Sequence, residues 1–558
     1  MRATESVSSL SDARTDGLDR REPDPRRAFR RWAAALVLLC GATLWLEFGH
    51  IQDSMPYPLD VDEAFVTGPA LRTVQTGTWH PYTFNYPSLP KYLAAAGMAV
   101  GFLRGASHRE IGEVRHIGSG TFPYYGTPRV IQTARQLFVI LSVIALAATG
   151  FLAWLVLRRP AALLLAPVIV LTTPLFFGHS WMYLNVDIVG TCFVVLTLVA
   201  CQVAAARPSI GQSAVLPGLL AGLATGSKYT LALVILPVLV GIGFSFSGLR
   251  RIRAWATALA AMIGAFIAVV PYSLIDLPGF LNGVASEAFH YASGHRGFNE
   301  EPGLPQLLFY LGHFVSEFGP AGAMLALLGI ASFVRADWRR TAVLAIFPVG
   351  LLWLLASHRV HFPRNVLSLH PLVAIFATSG LLALHNGTLA LAARRGWVRQ
   401  PVTVRMSALV GLALLLVAVP VWHVPALFRD RTDSRNLART WIEERLTPEW
   451  TIVIPNQLNF DARPLERAGR RVVRVDLRAA RDVNALNSLT ADVPSPAVIL
   501  VPRWGADRRF SGQEVATKLN ELAPRWRAVR TFGNEAVRVN YSSSTPRGNP
   551  AFSIAVLK

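Results

Sequence analysis

Residues 32–48, WAAALVLLCGATLWLEF, and residues 406–428, MSALVGLALLLVAVPVWHVPALF, decide the fold class. Each is an apolar run close to the roughly 20 residues that an α-helix needs to cross a hydrocarbon core of about 30 Å. Similar runs recur between them. Of 558 residues, 52% are hydrophobic and only 16% charged, with a mean hydropathy of +0.38. That apolar content excludes a disordered chain. Cys40, Cys192 and Cys201 all fall inside apolar runs, where they act as small hydrophobes, so no disulfide scaffold is expected. The composition specifies a polytopic α-helical membrane protein.

The formal charge is +20 and the isoelectric point about 10.7. In a soluble domain this would point to nucleic acid. Here most arginines flank apolar runs or lie in the tail after residue 428, so they report topology, and no nucleic-acid partner is expected. Residues 1–31 read as a disordered cytoplasmic leader, and the first span as an uncleaved anchor. Arg158–Arg159, Arg207, Arg250 to Arg253, Arg335 to Arg340 and Arg394 to Arg405 mark the cytoplasmic side. Placing them on one face predicts about eleven spans, near 32–50, 134–157, 161–178, 186–205, 215–227, 229–247, 254–272, 318–334, 341–356, 366–384 and 406–424. These make up a transmembrane domain, 32–424. The apolar stretch 92–103 is too short to span comfortably and reads as a juxtamembrane or re-entrant helix in the first external loop, 51–133. An odd number of spans leaves the tail, 425–558, outside. Its strand candidates at 451–456, 470–477 and 496–504, with helical patterns at 433–446 and 513–523, predict a soluble α/β domain. Asp433 or Ser434 opens the first of those helices.

With this topology the chemistry collects on the external face. The first loop holds Asp60, Asp62 and Glu63, three carboxylates within four residues, suited to a general base or, through Asp60 and Asp62, to Mg²⁺ or Mn²⁺. The plainer alternative is that Asp62 caps a helix beginning near Ala64. The chain has four lysines, and the two in the membrane region, Lys91 and Lys228, are both external and both followed by tyrosine. A compact ammonium suits a phosphate; the alternative is ordinary snorkelling. Glu287, His290 and His295 are spaced too loosely for a metal site and read as sugar or headgroup contacts, with Asp60, Tyr86 and His179 as further candidate substrate contacts. Five external connections carrying such groups favour a surface enzyme; a transporter or flippase of a lipid-linked glycan is the alternative, and would more often bury them near the midplane.

The order of these segments resembles a known family. The external Asp-Glu pair, the G-x-W, the Y-P-x-L-P-K-Y stretch and an arginine opening the next span are similar to the C-type glycosyltransferases. Within these they are closest to bacterial members of the dolichyl-phosphate-mannose–protein mannosyltransferase family, and more distantly related to the lipid A aminoarabinose transferase. LPGLLAGLATGSKYTLALVILP, PYSLID, EAFHYASGHRGF, HRVHFPRNVLSLHP and DSRNLARTWIEERL are similar to stretches of such proteins. The resemblance implies a C-type fold and inverting transfer of a sugar from a polyprenyl phosphate to a protein, lipid or glycan, at the periplasmic face of a bacterial inner membrane. It also implies Asp62 as base with Glu63 beside it, Asp187 as the second external aspartate, and Lys91, Arg135, Lys228, Arg359 and Arg364 around the donor phosphate. The lysine segment NYPSLPKYL departs from the lipid A branch, which has Glu-Lys before Pro-Pro.

Overall fold

The computed structural model describes residues 25–52, 55–57, 62–117, 128–181, 183–206, 208–295, 297–394, 408–413, 433–458, 460–476, 491–502, 526–532 and 552–557. The leader, most of the predicted span 406–424 and the predicted tail helix 513–523 lie outside these residues.

The membrane region is helical. In chain order it comprises α1 (Pro25–His50), α2 (Glu63–Thr76), α3 (Leu89–Ser107), α4 (Pro128–Leu157), α5 (Ala162–Leu171), α6 (Pro174–Trp181), α7 (Val186–Ala206) and α8 (Leu216–Ser227). There follow α9 (Ile235–Ser245), α10 (Gly248–Val269), α11 (Tyr272–Ile275), α12 (Leu277–Ser293), α13 (Leu304–Ala336), α14 (Trp338–Ala356) and α15 (His370–Arg394). Among the described residues, 7 helical stretches are long and apolar enough to cross a bilayer: α1, α4, α7, α10, α13, α14 and Pro363–Thr388. Helices occupy every predicted span up to residue 384, but not all as simple crossings. The predicted span 161–178 breaks between α5 and α6 with an 81° bend. Pro174 opens α6 and lacks the N–H that would continue α5. The two stretches 216–227 and 229–245 are shorter than a full crossing. The apolar stretch 92–103 lies within α3, which is not among the spanning helices.

Helix α13 starts well before the predicted residue 318 because its polar face finds partners inside the protein. Gln306 Nε2 donates to the Val360 carbonyl at 3.0 Å, and the Glu317 carboxylate accepts the Leu175 N–H at 2.8 Å. At Gly319 the helix kinks through φ 69°, a left-handed conformation that glycine adopts without strain, just before Pro320. Farther along, α13 crosses α15 with backbones nearly touching. A Cβ on Gly329 would collide with the Phe376 carbonyl oxygen, and one on Gly380 with that of Leu325. Small residues at a helix crossing permit the close van der Waals packing that drives association in lipid.

The tail holds helix α16 (Ser434–Arg445), a short helix α17 (Arg463–Arg467) and a five-stranded sheet. The strands are β1 (Thr451–Pro455), β2 (Val472–Val475), β3 (Ala497–Pro502), β4 (Trp526–Phe532) and β5 (Phe552–Leu557), ordered β2-β1-β3-β5-β4. The first three are parallel; β5 pairs antiparallel with both β3 and β4. Ile442, Ile452, Ile454, Leu465 and Val498 form a core separate from that of the membrane helices. Asp433 caps α16 through the Arg435 N–H at 2.9 Å.

The α13–α15 crossing gives a direct test. Gly329→Val should lower the melting temperature in detergent and reduce the yield of monodisperse protein. Gly387→Ala, where the added carbon meets nothing within 4 Å, should leave both unchanged.

Candidate active site

Four helix ends converge. Asp62 immediately precedes α2, and Asp187 lies in the first turn of α7. Lys228 follows α8 in an extended conformation, and Arg364 and Asn365 lie on the 3₁₀ turn Pro363–Leu369 that leads from α14 into α15. The arginine-rich connections lie at the other ends: Arg158 and Arg159 follow the last residue of α4, and Arg250 to Arg253 open α10. The chain therefore gathers its mixed charges at one end of the bundle and its cationic loops at the other.

Within the cluster the charges are paired. Lys228 Nζ donates to Asp187 Oδ1 at 2.7 Å and to Asn365 Oδ1 at 2.8 Å. Arg364 Nη2 lies 2.6 Å from Asp62 Oδ2, and its Nε 4.0 Å from Asp187 Oδ2. The same guanidinium lies over the Phe362 ring, 4.2 Å from its centroid. Asn365 also accepts the Tyr291 hydroxyl at 3.2 Å and faces the Tyr310 hydroxyl at 3.4 Å. The Tyr86 phenol feels this network: burial pushes its titration up, Arg364 opposes, and Asp62 adds to the rise. Burial likewise pushes Tyr291 up. Both phenols therefore stay protonated and can donate hydrogen bonds.

Asp62 does not serve as a helix cap. It has helical φ/ψ and makes no side-chain cap bond, so its carboxylate is turned to Arg364. Glu63, one residue on, faces elsewhere. Its two oxygens take a bidentate pair from Arg135, Nε at 3.0 Å and Nη2 at 2.9 Å, and Oε1 also accepts the Leu184 N–H at 3.0 Å. Arg135 Nη1 donates to the Ile51 carbonyl at 3.3 Å. The pair is sealed, with side chains 1% and 0% exposed.

Asp62, Asp187, Lys228, Arg364 and Tyr86 are thus brought together, while Glu63 and Arg135 form their own buried pair. Lys91 is 1% exposed and turns its ammonium to the Thr83 carbonyl and, at 3.1 Å, to the Thr83 hydroxyl. Arg359 pairs with Glu301 at 3.7 Å on an exposed edge. Asn85 donates to Glu287 at 3.2 Å, and His290 Nε2 lies 2.9 Å from His295 Nδ1. His179 donates from Nδ1 to the Leu175 carbonyl at 2.9 Å and accepts the Tyr183 hydroxyl at Nε2, 2.6 Å away. Asp60 lies outside the described residues. Among the described residues no three His, Cys, Asp or Glu side chains are grouped to hold a metal ion. Sequence reasoning did not single out Asn365, Tyr291 or Tyr310. The first two lie in the polar segments HFPRN and EAFHYASGH, but Tyr310 sits in an apolar helical run that gives no signal.

Comparison with known proteins adds the family. Residues 129–275 match the dolichyl-phosphate-mannose-protein mannosyltransferase family. This stretch includes Arg135, His179, Asp187 and Lys228, and the family is the one that the sequence resembles. With that match the chain stands as a membrane glycosyltransferase. No curated protein matches the sequence. Among solved structures it is similar to ArnT from Cupriavidus metallidurans bound to undecaprenyl phosphate, at 13% identity over 93% of this chain and 97% of that one, with a TM-score of 0.46. It is also similar to the archaeal oligosaccharyltransferase AglB from Archaeoglobus fulgidus in complex with an inhibitory peptide and a dolichol-phosphate. That likeness has 12% identity over 93% and 78% of the two chains and a TM-score of 0.47. Both likenesses are distant.

Two outcomes follow from the buried charges. Glu63→Gln or Arg135→Met leaves a sealed, unpaired partner and should cost about 3–5 kcal/mol of stability, seen as a large drop in melting temperature. The double variant Glu63→Leu with Arg135→Leu should recover most of it. Burial lowers Lys91 from its ordinary 10.5 to about 7. Between those values the unfolded chain holds the proton and the folded chain does not, so stability should rise with pH across the window. Lys91→Met should flatten that rise in melts compared at about pH 7 and about pH 9.

Proposed function

We propose that this protein transfers a sugar from a polyprenyl-phosphate donor to a hydroxyl of a protein, lipid or glycan, at the outer face of a bacterial plasma membrane. The observation that carries this reading is the junction of Asp62, Arg364, Asp187 and Lys228. Two cations and two carboxylates meet at the end of the bundle remote from its arginine-rich connections. A lipid phosphate can reach such a place with its chain still in hydrocarbon.

The chemistry needs few parts. A phosphate ester is a competent leaving group, so the site requires cations to receive developing negative charge and a base for the acceptor's proton. Lys228 and Arg364 are the cations. Asp187 fixes Lys228 at 2.7 Å and stands 4.0 Å from Arg364, which makes it a positioning residue for both. Arg364 has the planar fork for bidentate phosphate contact, while Lys228 supplies a point charge. Asp62 is the base. As the acceptor oxygen forms its bond to the anomeric carbon, the bond from that carbon to the phosphate oxygen breaks. The electron pair leaves with the polyprenyl phosphate, and the hydroxyl proton passes to Asp62. A single displacement of this kind inverts the anomeric centre. The protonated phenol of Tyr86, which feels Arg364 and Asp62, is available as a hydrogen-bond donor, while that of Tyr291 donates to Asn365, the second partner of Lys228. Lys91, bonded to Thr83, supports the loop that carries Tyr86.

The test uses purified protein in liposomes with a labelled polyprenyl-phosphate sugar and extracts of outer-surface polymers. Wild type should release polyprenyl phosphate and label an acceptor. Asp62→Asn should slow transfer by on the order of 10²–10⁴ with little change in melting. Lys228→Ala and Arg364→Ala should raise the donor KM. Wild-type rates in Asp62→Asn would remove Asp62 as base and leave Asp187 as the next carboxylate to test. Translocation without bond cleavage would instead mark a flippase.

A further inference from the structure

Tyr57 is a tyrosine with no exposed surface, set in the polar first loop five residues before Asp62. Its cover comes from the tail. Its hydroxyl accepts the Asp461 N–H at 3.1 Å, and the Arg435 guanidinium lies 3.8 Å from the centre of its ring. That guanidinium is itself held flat by Asp433, through Nε and Nη2 bonds of 2.8 Å each. Next along α16, Asn436 Nδ2 donates to the Met55 carbonyl at 2.8 Å. The opening residues of α16 and the turn at Asp461 thus grip both side chain and backbone of residues 55–57.

We propose that the C-terminal domain acts as a positioning clamp for Asp62, with Tyr57 as the residue it holds. The inference rests on the reading of Asp62 as the base. On the far side of Asp62 the chain is pinned again, at Glu63, by Arg135 and the Leu184 N–H. The stretch from Tyr57 to Asp62 can extend no more than about 17 Å, and its two ends are fixed to different bodies, the soluble domain and the helix bundle. The carboxylate's position is therefore the joint outcome of both pins. Lys228 and Arg364 are mounted on other elements, the end of α8 and the 3₁₀ turn before α15, and Arg364 meets the clamped segment through its side-chain contact with Asp62. A base displaced by about 1 Å can cost on the order of 10²-fold in rate, so a contact remote from the chemistry can govern turnover. Arg435 over the ring, rather than a purely apolar socket, makes the hold directional: a cation lies above the face while the N–H of Asp461 meets the edge.

The test compares Tyr57→Ala, Tyr57→Phe and Asn436→Ala in the full-length protein. Tyr57→Ala should lower kcat by roughly 10- to 100-fold while the donor KM stays within about twofold, because Lys228 and Arg364 keep their own backbone mounts. Tyr57→Phe keeps the ring under Arg435 and should recover most of the loss. Asn436→Ala, a milder cut, should lower kcat several-fold at unchanged donor KM, and it decides the matter if Tyr57→Ala cannot be purified. A kcat within threefold of wild type in whichever variant decides, or a donor KM that rises in step with the fall in kcat, would overturn the clamp. Hydrogen exchange separates the two readings. The amides of residues 63–66 should exchange faster in Tyr57→Ala, or in Asn436→Ala if that variant decides, than in wild type. If wild type transfers no sugar yet this coupling is seen, the catalytic reading fails and the clamp stands; unchanged exchange sinks the clamp itself.

Discussion

The pair between Glu63 and Arg135 is the interaction on which the rest of the site depends. Two charges with almost no exposure are stable only because each satisfies the other with good geometry, while Glu63 also accepts the Leu184 N–H and Arg135 also donates to the Ile51 carbonyl. That pairing ties α2 to α4 and to the loop entering α7. Once they are tied, Asp62 is placed at the head of α2 and Asp187 at the head of α7, within reach of one Arg364 side chain.

The surrounding bundle obeys the same low-dielectric logic through hydrogen bonds. Hydrocarbon offers backbone groups no partners, so interruptions in helices are repaired locally. The break between α5 and α6 is covered by Glu317, which accepts the Leu175 N–H, and by the Thr173 hydroxyl, which donates to the Val170 carbonyl at 2.7 Å. Glu47 on α1 meets Ser180 at 2.6 Å in the same way. Polar residues inside the apolar runs thus mark where the helices bend or join.

Much of this was legible from residue types, and the rest failed for identifiable reasons. Apolar length found the helices, and arginine parity separated the cationic ends from the mixed-charge ends. The run TIVIP, buried along its whole length, and the Asp433 cap were readable because β-branched strand preference and N-capping are local effects. What could not be read was direction. Asp62 and Glu63 are neighbours in sequence, but successive positions on a helix point about 100° apart, so one carboxylate faces Arg364 and the other Arg135. Lys91 and Lys228 look alike as Lys-Tyr pairs, yet Lys91 is satisfied by Thr83 and Lys228 by Asp187 and Asn365. The strand Trp526–Phe532 pairs with Phe552–Leu557, and that strand in turn with β3, across separations that periodicity does not see.

The 1:1 pairing of carboxylates and cations in the cluster has a further consequence, for turnover. Taken as ionised, Asp62, Asp187, Lys228 and Arg364 sum to zero, so the resting site is electrically neutral although it is densely charged. A phosphodiester donor would bring in one surplus negative charge, which is tolerable because Arg364 can be shared. Cleavage to a phosphomonoester would add a second, initially offset by the proton on Asp62. Were that proton then lost to water, two excess charges would face two carboxylates at close range in a poorly screened setting, and repulsion would favour ejection of the spent lipid. Deprotonation would in this way act as a ratchet, coupling the reset of the base to clearance of the product.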